Sequence, residues 1–412
     1  MEFKIKHEME IIKKYAYRGY NIICNIIRKS IRRIRITLYS ERKALIKSPE
    51  TLFNIVSILN SEKWEDICLP PIYNISKEIR SSLLYKKQFI LDIENAIIYD
   101  NSNLIITEKG VVWNKSYNED FTIIVPLDYG LVNFNKTKVR FEKMRHSIKI
   151  EGKTLSLLGV HSMIWSHFLI QYLPKLYYAE KYRIIKEPIT LIIPQYRDIH
   201  IKQILNYVLS RNTNIVVMES KPNTAYYCDH LIHIPETAYC GDHANIVHVC
   251  ETLIPRETFD ILIANLVVPL VKNVVKDKKY NKLYLIRRGT YRSLINYEEI
   301  ESFFSKLGFV LIEPHKLSLE EKVKAFYSAE FIAGPVSAGF TNMIFSHSKT
   351  RVLLLSSLSR ALDGYTAGFA FHKGMHTLRV TGDDLDSTIH SSYYIDINRV
   401  KAAYNQLINN GQ

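Results

Sequence analysis

The spacing of apolar positions changes along the chain, and each change marks an element. Leu283 to Ile286 is a short uninterrupted apolar run, the pattern of a strand buried on both faces. A helix is predicted next, with Asn296 at its cap, Glu299 in its first turn and Gly308 closing it after Leu307. Phe309 to Ile312 reads as a second strand. Ser318 and Glu321 form a capping box for another helix, on which Val323, Phe326 and Tyr327 share a face. Phe331 to Ala333 and Arg351 to Leu355 supply two more strands. Strands and helices alternating at this spacing predict a parallel, doubly wound sheet.

The same signature occurs upstream. Thr190 to Pro194 and Asn214 to Met218 are apolar runs around a helical stretch from Ile199 to Leu209, so the N-terminal half is expected to carry its own parallel sheet. His161 to Tyr182 reads as largely helical, broken or kinked at Pro174. Residues 75–160 alternate apolar runs (Phe89 to Leu91, Leu104 to Ile106, Phe121 to Val125) with turn residues at Asn101, Asn103, Asn114 and Asp128 to Gly130. They predict a β-rich entry to the first domain.

In open parallel sheets the ligand lies beyond the carboxyl ends of the strands. Arg287 and Arg288 fall where the Leu283 strand ends, Arg292 lies in the loop facing it, and the turn from Gly334 to Asn342 follows the Phe331 strand. Guanidinium groups pair with phosphate oxygens in a planar fork, and the N–H groups of a helix start point at an anion. Ser337, Ala338 and Gly339 would let backbone N–H groups approach a pyrophosphate, and Asn342 would orient the turn or bind a ligand hydroxyl. Surface ion pairs are the plainer reading of the arginines. Their place beside a buried strand favours a diphosphate site for a nucleotide-linked molecule.

Arg287-Arg288-x-x-x-Arg292-x-x-x-Asn296, then Gly308-Phe309 with Pro314 and Leu317-Ser318, then Gly334-Pro335-x-x-Ala338-Gly339-x-Thr341-Asn342, resembles glycosyltransferase family 61. Trp165-Ser166-His167-Phe168-Leu169-Ile170-Gln171-Tyr172-Leu173-Pro174-Lys175-Leu176 is similar to that family's His-Trp-Leu-Leu-acidic-x-Leu-Pro-Arg-Leu element. The resemblance covers roughly residues 85–400. It implies an α/β protein of the GT-B arrangement, with two doubly wound Rossmann-type domains facing a cleft. It further implies a nucleotide-sugar donor, such as a UDP-sugar, and an inverting transfer without metal or other cofactor.

On this resemblance the donor would touch Arg287, Arg288, Arg292, Asn296, Gly334, Ser337, Ala338, Gly339, Phe340, Thr341 and Asn342. His167 would take the acceptor's proton or bind the donor sugar, with His161 as a weaker substitute. The chain departs from the pattern at Val336-Ser337, where the family has His-Gly, and at Gln171, where it has an acid. The usual acid after Asn296 is displaced to Glu298 by Tyr297. These departures leave room for a pyruvyl or phosphosugar transferase, or for a non-catalytic nucleotide-sugar binder.

The 412 residues are enough for two or three domains. The expected division is a basic segment over 1–48, an acceptor-side domain over 49–275 and a nucleotide-sugar domain over 280–395. Residues 396–412 would form a helix crossing back, as the resemblance implies, and Lys276 to Lys279 is a charged linker. No apolar run reaches the ~18 residues of a membrane span, and no secretory signal is visible. Five cysteines at irregular spacing suggest a reducing compartment. Cys228, His230, His233, Cys240, His243, His248 and Cys250 form a Cys/His cluster, but its spacing is irregular for zinc, and it reads as a strand and loop with buried thiols.

The net charge of +14 is concentrated: residues 1–50 hold 13 Lys and Arg against 5 Asp and Glu. A helix from Asn21 to Ser40 would put Ile23, Ile26, Ile27, Ile31, Ile34 and Leu38 on one face and arginines around it. That composition suits an anionic membrane surface, contacted through residues 10–40. No helix-turn-helix, zinc-finger or RNP pattern supports nucleic acid as a partner. The expected setting is the cytoplasmic face of the plasma membrane, with a surface polysaccharide or lipid-linked glycan as acceptor.

Overall fold

The computed structural model describes residues 41–45, 54–60, 63–68, 71–74, 80–85, 88–100, 102–113, 131–134, 138–142, 144, 146–240, 252–289, 292–361, 364–388 and 390–409. The membrane-facing helix expected over Asn21 to Ser40 lies outside them, as do the strand expected at Phe121 to Val125 and His243, His248 and Cys250. Among the described residues no helix is long and apolar enough to cross a membrane.

The chain is mixed α/β, with two large sheets. The first contains β1 (Asn54–Asn60), β2 (Gln88–Tyr99), β3 (Leu104–Thr107), β4 (Gly110–Trp113), β5 (His146–Ser156), β6 (Ile189–Ile193), β7 (Ile215–Glu219) and β8 (Thr224–His233). Its order is β7-β6-β5-β8-β2-β3-β4, with β1 also paired to β2. Strands β5 to β8 pair in parallel, and the remaining pairs are antiparallel. The β-rich entry and the upstream βαβ unit therefore share one sheet.

Helix α1 follows β5 and is built of Trp165–His167, a π-helical turn Phe168–Tyr172 and Leu173–Lys181. Pro174 has no N–H to give the carbonyl of Ile170, so the ladder widens there. Thr237 Oγ1 donates to that carbonyl instead, at 2.7 Å. Helix α2 (Ile199–Leu209) is capped by the Asp198 side chain, which accepts from the N–H groups of His200 and Ile201.

The second sheet contains β9 (Lys282–Leu285), β10 (Val310–Ile312), β11 (Phe331–Pro335), β12 (Arg351–Ser357), β13 (His376–Asp384) and β14 (Tyr393–Tyr394). Its order is β10-β9-β11-β12-β13-β14. All pairs are parallel except β13 with β14. The connecting helices include α3 (Tyr297–Lys306), α4 (Leu319–Ser328) and α5 (Gly364–Lys373). The predicted cap of α4 is present, with Glu321 N donating to Ser318 Oγ at 3.1 Å.

Each parallel set reverses direction once, between β5 and β8 in the first sheet and between β9 and β11 in the second. Ligands of such sheets collect at these reversal points, beyond the carboxyl ends. At the second one the backbones crowd: a Cβ on Gly334 (φ +145°) would lie 2.6 Å from the Leu285 carbonyl oxygen.

One continuous apolar core joins Leu169, Leu173 and Leu176 of α1 to Ile201 and Leu205 of α2, and on to Leu283, Leu285, Ile332 and Leu354 of the second sheet. The other face of the second sheet is covered by α3 and by α6 (Ile397–Asn409). The last helix, expected to cross back to the first domain, contributes Val400, Ala403, Tyr404 and Leu407 to that second-sheet core, beside Phe304, Phe309 and Phe331.

Candidate active site

Residues leaving the end of β9 alternate in direction, and this separates the two consecutive arginines. Arg288 turns toward α3, where its Nη1 and Nη2 donate to Glu301 at 2.5 and 2.7 Å and its guanidinium covers the Tyr297 ring at 4.1 Å. Arg287 instead donates from Nε to the carbonyl of Arg292, at 3.2 Å. Arg292 adopts a left-handed backbone (φ +54°), and its N–H donates to the carbonyl of His390 at 3.0 Å. Desolvation pushes the His390 imidazole below its ordinary range, and the charges of Arg292 and Arg360 add to this while Asp386 opposes it. Arg287, Arg292, Arg360 and His390 thus gather at the carboxyl end of the sheet, and Arg288 is committed elsewhere.

The turn after β11 emerges beside Arg287. Val336, Ser337, Ala338 and Gly339 are accessible, whereas Phe340, Thr341 and Asn342 are buried. Residues Ala338–Phe345 form a 3-10 helix. Asn342 holds the turn by donating to the Gly339 carbonyl at 2.8 Å. Its side-chain oxygen accepts from Trp165 Nε1 at 3.1 Å, which fastens the turn to the start of α1. Lys322 of α4 lies over the face of the Trp165 ring, with Nζ 4.3 Å from the ring centroid. Burial lowers the Lys322 ammonium to about 8, against the attraction of Asp198. Asn296 sits at the start of α3 and bonds Glu299 and the Ile395 carbonyl, at 3.0 and 2.8 Å.

Helix α1 leads from this turn to a second polar group. The rings of His161 and His167 are 4.7 Å apart. His167 Nδ1 is 2.5 Å from Gln171 Oε1. The Gln171 amide nitrogen donates to the Ala238 carbonyl at 3.0 Å and faces Glu236 Oε2 at 3.4 Å. Two acceptors around that nitrogen settle the amide orientation, so the atom facing His167 is an oxygen. Nδ1 of His167 therefore carries the proton, and Nε2 holds the lone pair. Tyr172 OH donates to Glu236 Oε1 at 2.9 Å.

Glu236, Arg360 and His390 were not singled out by sequence, and Trp165 entered only as part of the α1 motif. Arg360 follows β12, and Glu236 follows β8, so both obey the strand-end rule that pointed to Arg287. Glu236 meets Gln171 across 65 positions of sequence, which no local pattern reveals.

The Cys/His cluster divides. Cys228 is buried, and burial pushes its thiol up to about 12. His230 pairs with Asp92 at 3.1 Å, and His233 lines a recess at the end of β8. Among the described residues no three His, Cys, Asp or Glu side chains group as metal ligands would.

The family model Glycosyltransferase 61 matches residues 165–353. No curated protein matches the chain. The matched span begins at Trp165, takes in His167 and Gln171, and ends within β12, so it holds both the α1 element and the arginine and turn blocks that carry the resemblance. Through residues 165–353 the chain is therefore related to glycosyltransferase family 61, a relationship that implies a glycosyltransferase.

Proposed function

We propose that this chain transfers a sugar with inversion, in one displacement, from a nucleotide-sugar such as a UDP-sugar to a hydroxyl of a surface polysaccharide or lipid-linked glycan. The two sheets act as the facing halves of a GT-B arrangement. The observation that carries the proposal is the Trp165–Asn342 bond of 3.1 Å, which holds the helix bearing His167 against the turn expected to take the donor.

The donor diphosphate lies on Arg287, Arg292 and the N–H groups of Ser337 to Gly339, with Arg360 completing the cationic wall and the neutral His390 beside it. These groups stabilise the charge that grows on the leaving nucleoside diphosphate, so a divalent ion is dispensable. His167 Nε2 accepts the proton of the attacking hydroxyl. Gln171 fixes the ring through Nδ1, and the Glu236 carboxylate behind it favours the imidazolium that forms. Asn342 and Trp165 position this base, and Arg288 braces α3.

The acceptor class rests on the family relationship. The membrane setting rests on that relationship and on the cations of residues 10–40. Calorimetric titration of the full chain with UDP and with phosphoenolpyruvate tests the donor: tighter binding of UDP is expected, and preference for phosphoenolpyruvate would point to a pyruvyl transferase.

A further inference from the structure

A partly open recess lies at the reversal point of the first sheet. Its polar lining comes from Ser102, Asn103, Ser156, Lys175, His233 and Glu236, and its apolar lining includes Ile98, Leu104 and Leu158. Lys175 is 5% exposed. Its ammonium lies 5.0 Å from the centroid of the Tyr172 ring. Among the described residues it has no hydrogen-bond acceptor and no carboxylate within ion-pair distance. A buried ammonium in that state is poised for a partner that the protein itself does not supply.

The remaining polar groups show what that partner is. Ser102 Oγ accepts from Leu104 N at 3.2 Å, and Ser156 Oγ accepts from Leu158 N at 3.1 Å. Each hydroxyl therefore accepts one bond and keeps its proton to give. His233 is held neutral, its pKa lowered to about 3 by burial and then by Lys175, so it offers one N–H and one lone pair. The carboxylate and amide oxygens of the recess already accept. Glu236 takes Tyr172 OH and faces the Gln171 amide, and Asn103 Oδ1 takes Val160 N at 3.1 Å. Lys175, with no acceptor of its own among the described residues, is left as the unmatched donor.

We propose that this recess binds an oxyanion, a carboxylate or phosphate carried by the acceptor, on Lys175, Ser102, Ser156 and His233. A group with lone pairs, a negative charge and no protons matches the unpaired ammonium better than a neutral hydroxyl does. Burial lowers the Lys175 ammonium to about 8, with Glu236 acting in the opposite direction, so near neutral pH Lys175 keeps its charge. Only the naming of the oxyanion as part of an acceptor rests on the glycosyl-transfer proposal.

The test titrates the full chain at pH 7 with sodium glucuronate, glucose 6-phosphate and methyl glucoside, read by NMR or calorimetry. One or both charged probes should bind at least about tenfold more tightly than the neutral one. The tighter of the two identifies a carboxylate or a phosphate as the natural group. Lys175→Met should reduce the charged probes to the level of the neutral one and leave UDP affinity unchanged. Ser156→Ala should weaken them several-fold, which covers the case of a misfolded Lys175 variant. Equal binding of all three probes overturns the proposal, as does no binding of either charged probe. So does binding that survives Lys175→Met but is lost in Arg292→Ala, because the probe would then occupy the other cationic wall. Failure of UDP to bind the unmodified chain counts against the donor proposal alone, since the oxyanion titration is read without it.

Discussion

Gln171 Oε1 stands 2.5 Å from Nδ1 of His167, and this contact leaves Nε2 as the basic nitrogen of the ring. The family pattern has an acid at position 171. Here a carboxylate at that position would face the Glu236 carboxylate, which already lies 3.4 Å from the Gln171 amide nitrogen. The acid has in effect moved from α1 to the segment after β8, and an amide between it and the histidine satisfies both.

Gln171→Glu is therefore expected to destabilise the fold by roughly 1–3 kcal/mol, through two carboxylates at one buried place and a lost donor to the Ala238 carbonyl. Adding Glu236→Gln should restore much of the loss, since the amide and the acid then exchange places. A double-mutant cycle by urea unfolding measures this, and additive losses would show that the two side chains do not interact. His167→Ala should lower transfer by about 10² or more while donor affinity holds.

Arg288 and Arg292 should behave differently. Arg292→Ala is expected to weaken nucleoside diphosphate binding by roughly 1.5–3 kcal/mol, the value of a charge-assisted bond. Arg288→Ala should leave that affinity unchanged. Its ion pair with Glu301 has the arginine side chain 45% exposed, so the stability lost should stay within about 1 kcal/mol. Equal effects of the two substitutions on binding would place both side chains at the diphosphate.

The contrast between these arginines shows where sequence reasoning stopped. Caps and short apolar runs are local, so the second sheet could be read from Leu283, Ser318 with Glu321, and Phe331 to Ala333. The strand-end rule then placed Arg287 and Arg288 together. It could not assign their directions, because that depends on Glu301 and Tyr297 standing on the α3 side. The burial of Thr341 and Asn342 was equally hidden, since it follows from Trp165 arriving from the other sheet. Glu236 and Lys175 come together only when β8 pairs with β5, and nothing near either residue announces that pairing.

Gly334 is expected to be among the most sensitive positions of the second sheet. A Cβ there would lie 2.6 Å from Leu285 O and 3.0 Å from Leu285 N, at a φ of +145° that other residues rarely adopt. Gly334→Ala should cost about 1–3 kcal/mol or more and push β9 from β11, displacing Arg287 from the turn. Gly152→Ala is the comparison: its φ is +73°, but nothing lies within 4 Å of the added carbon. It should cost only the left-handed backbone term of about 1–2 kcal/mol. Denaturant midpoints separate the two, and a Gly334 variant as stable as the Gly152 variant would show that the strands can part without strain.

Stability should rise with pH above about 8. Burial lowers the Lys175 ammonium from 10.5 to about 8, so between those values the unfolded chain holds a proton that the folded chain has released. Unfolding then takes up protons, and raising the pH favours the fold. The charged form is a burden below about pH 8, and that burden is relieved as pH climbs toward 10.5. At ~1.4 kcal/mol per pH unit, Lys175 alone accounts for up to about 3 kcal/mol. The groups facing it do not reverse the sign. Glu236 is the one that raises it, and His233 is neutral throughout this range. Lys322 and Lys373, both lowered to about 8 by burial, act in the same direction. Buried tyrosines such as Tyr177, Tyr178 and Tyr196, and the Cys228 thiol, are raised by burial, so their ionisation in the unfolded chain opposes the trend, the thiol from about pH 9 and the tyrosines near pH 10 and above. Urea midpoints at pH 7.5 and 9.5 should therefore increase, and Lys175→Met should flatten the increase. A midpoint that falls across that interval would mean the Lys175 ammonium is fully paired in the fold, and the recess would then have no unmatched cation to offer a ligand.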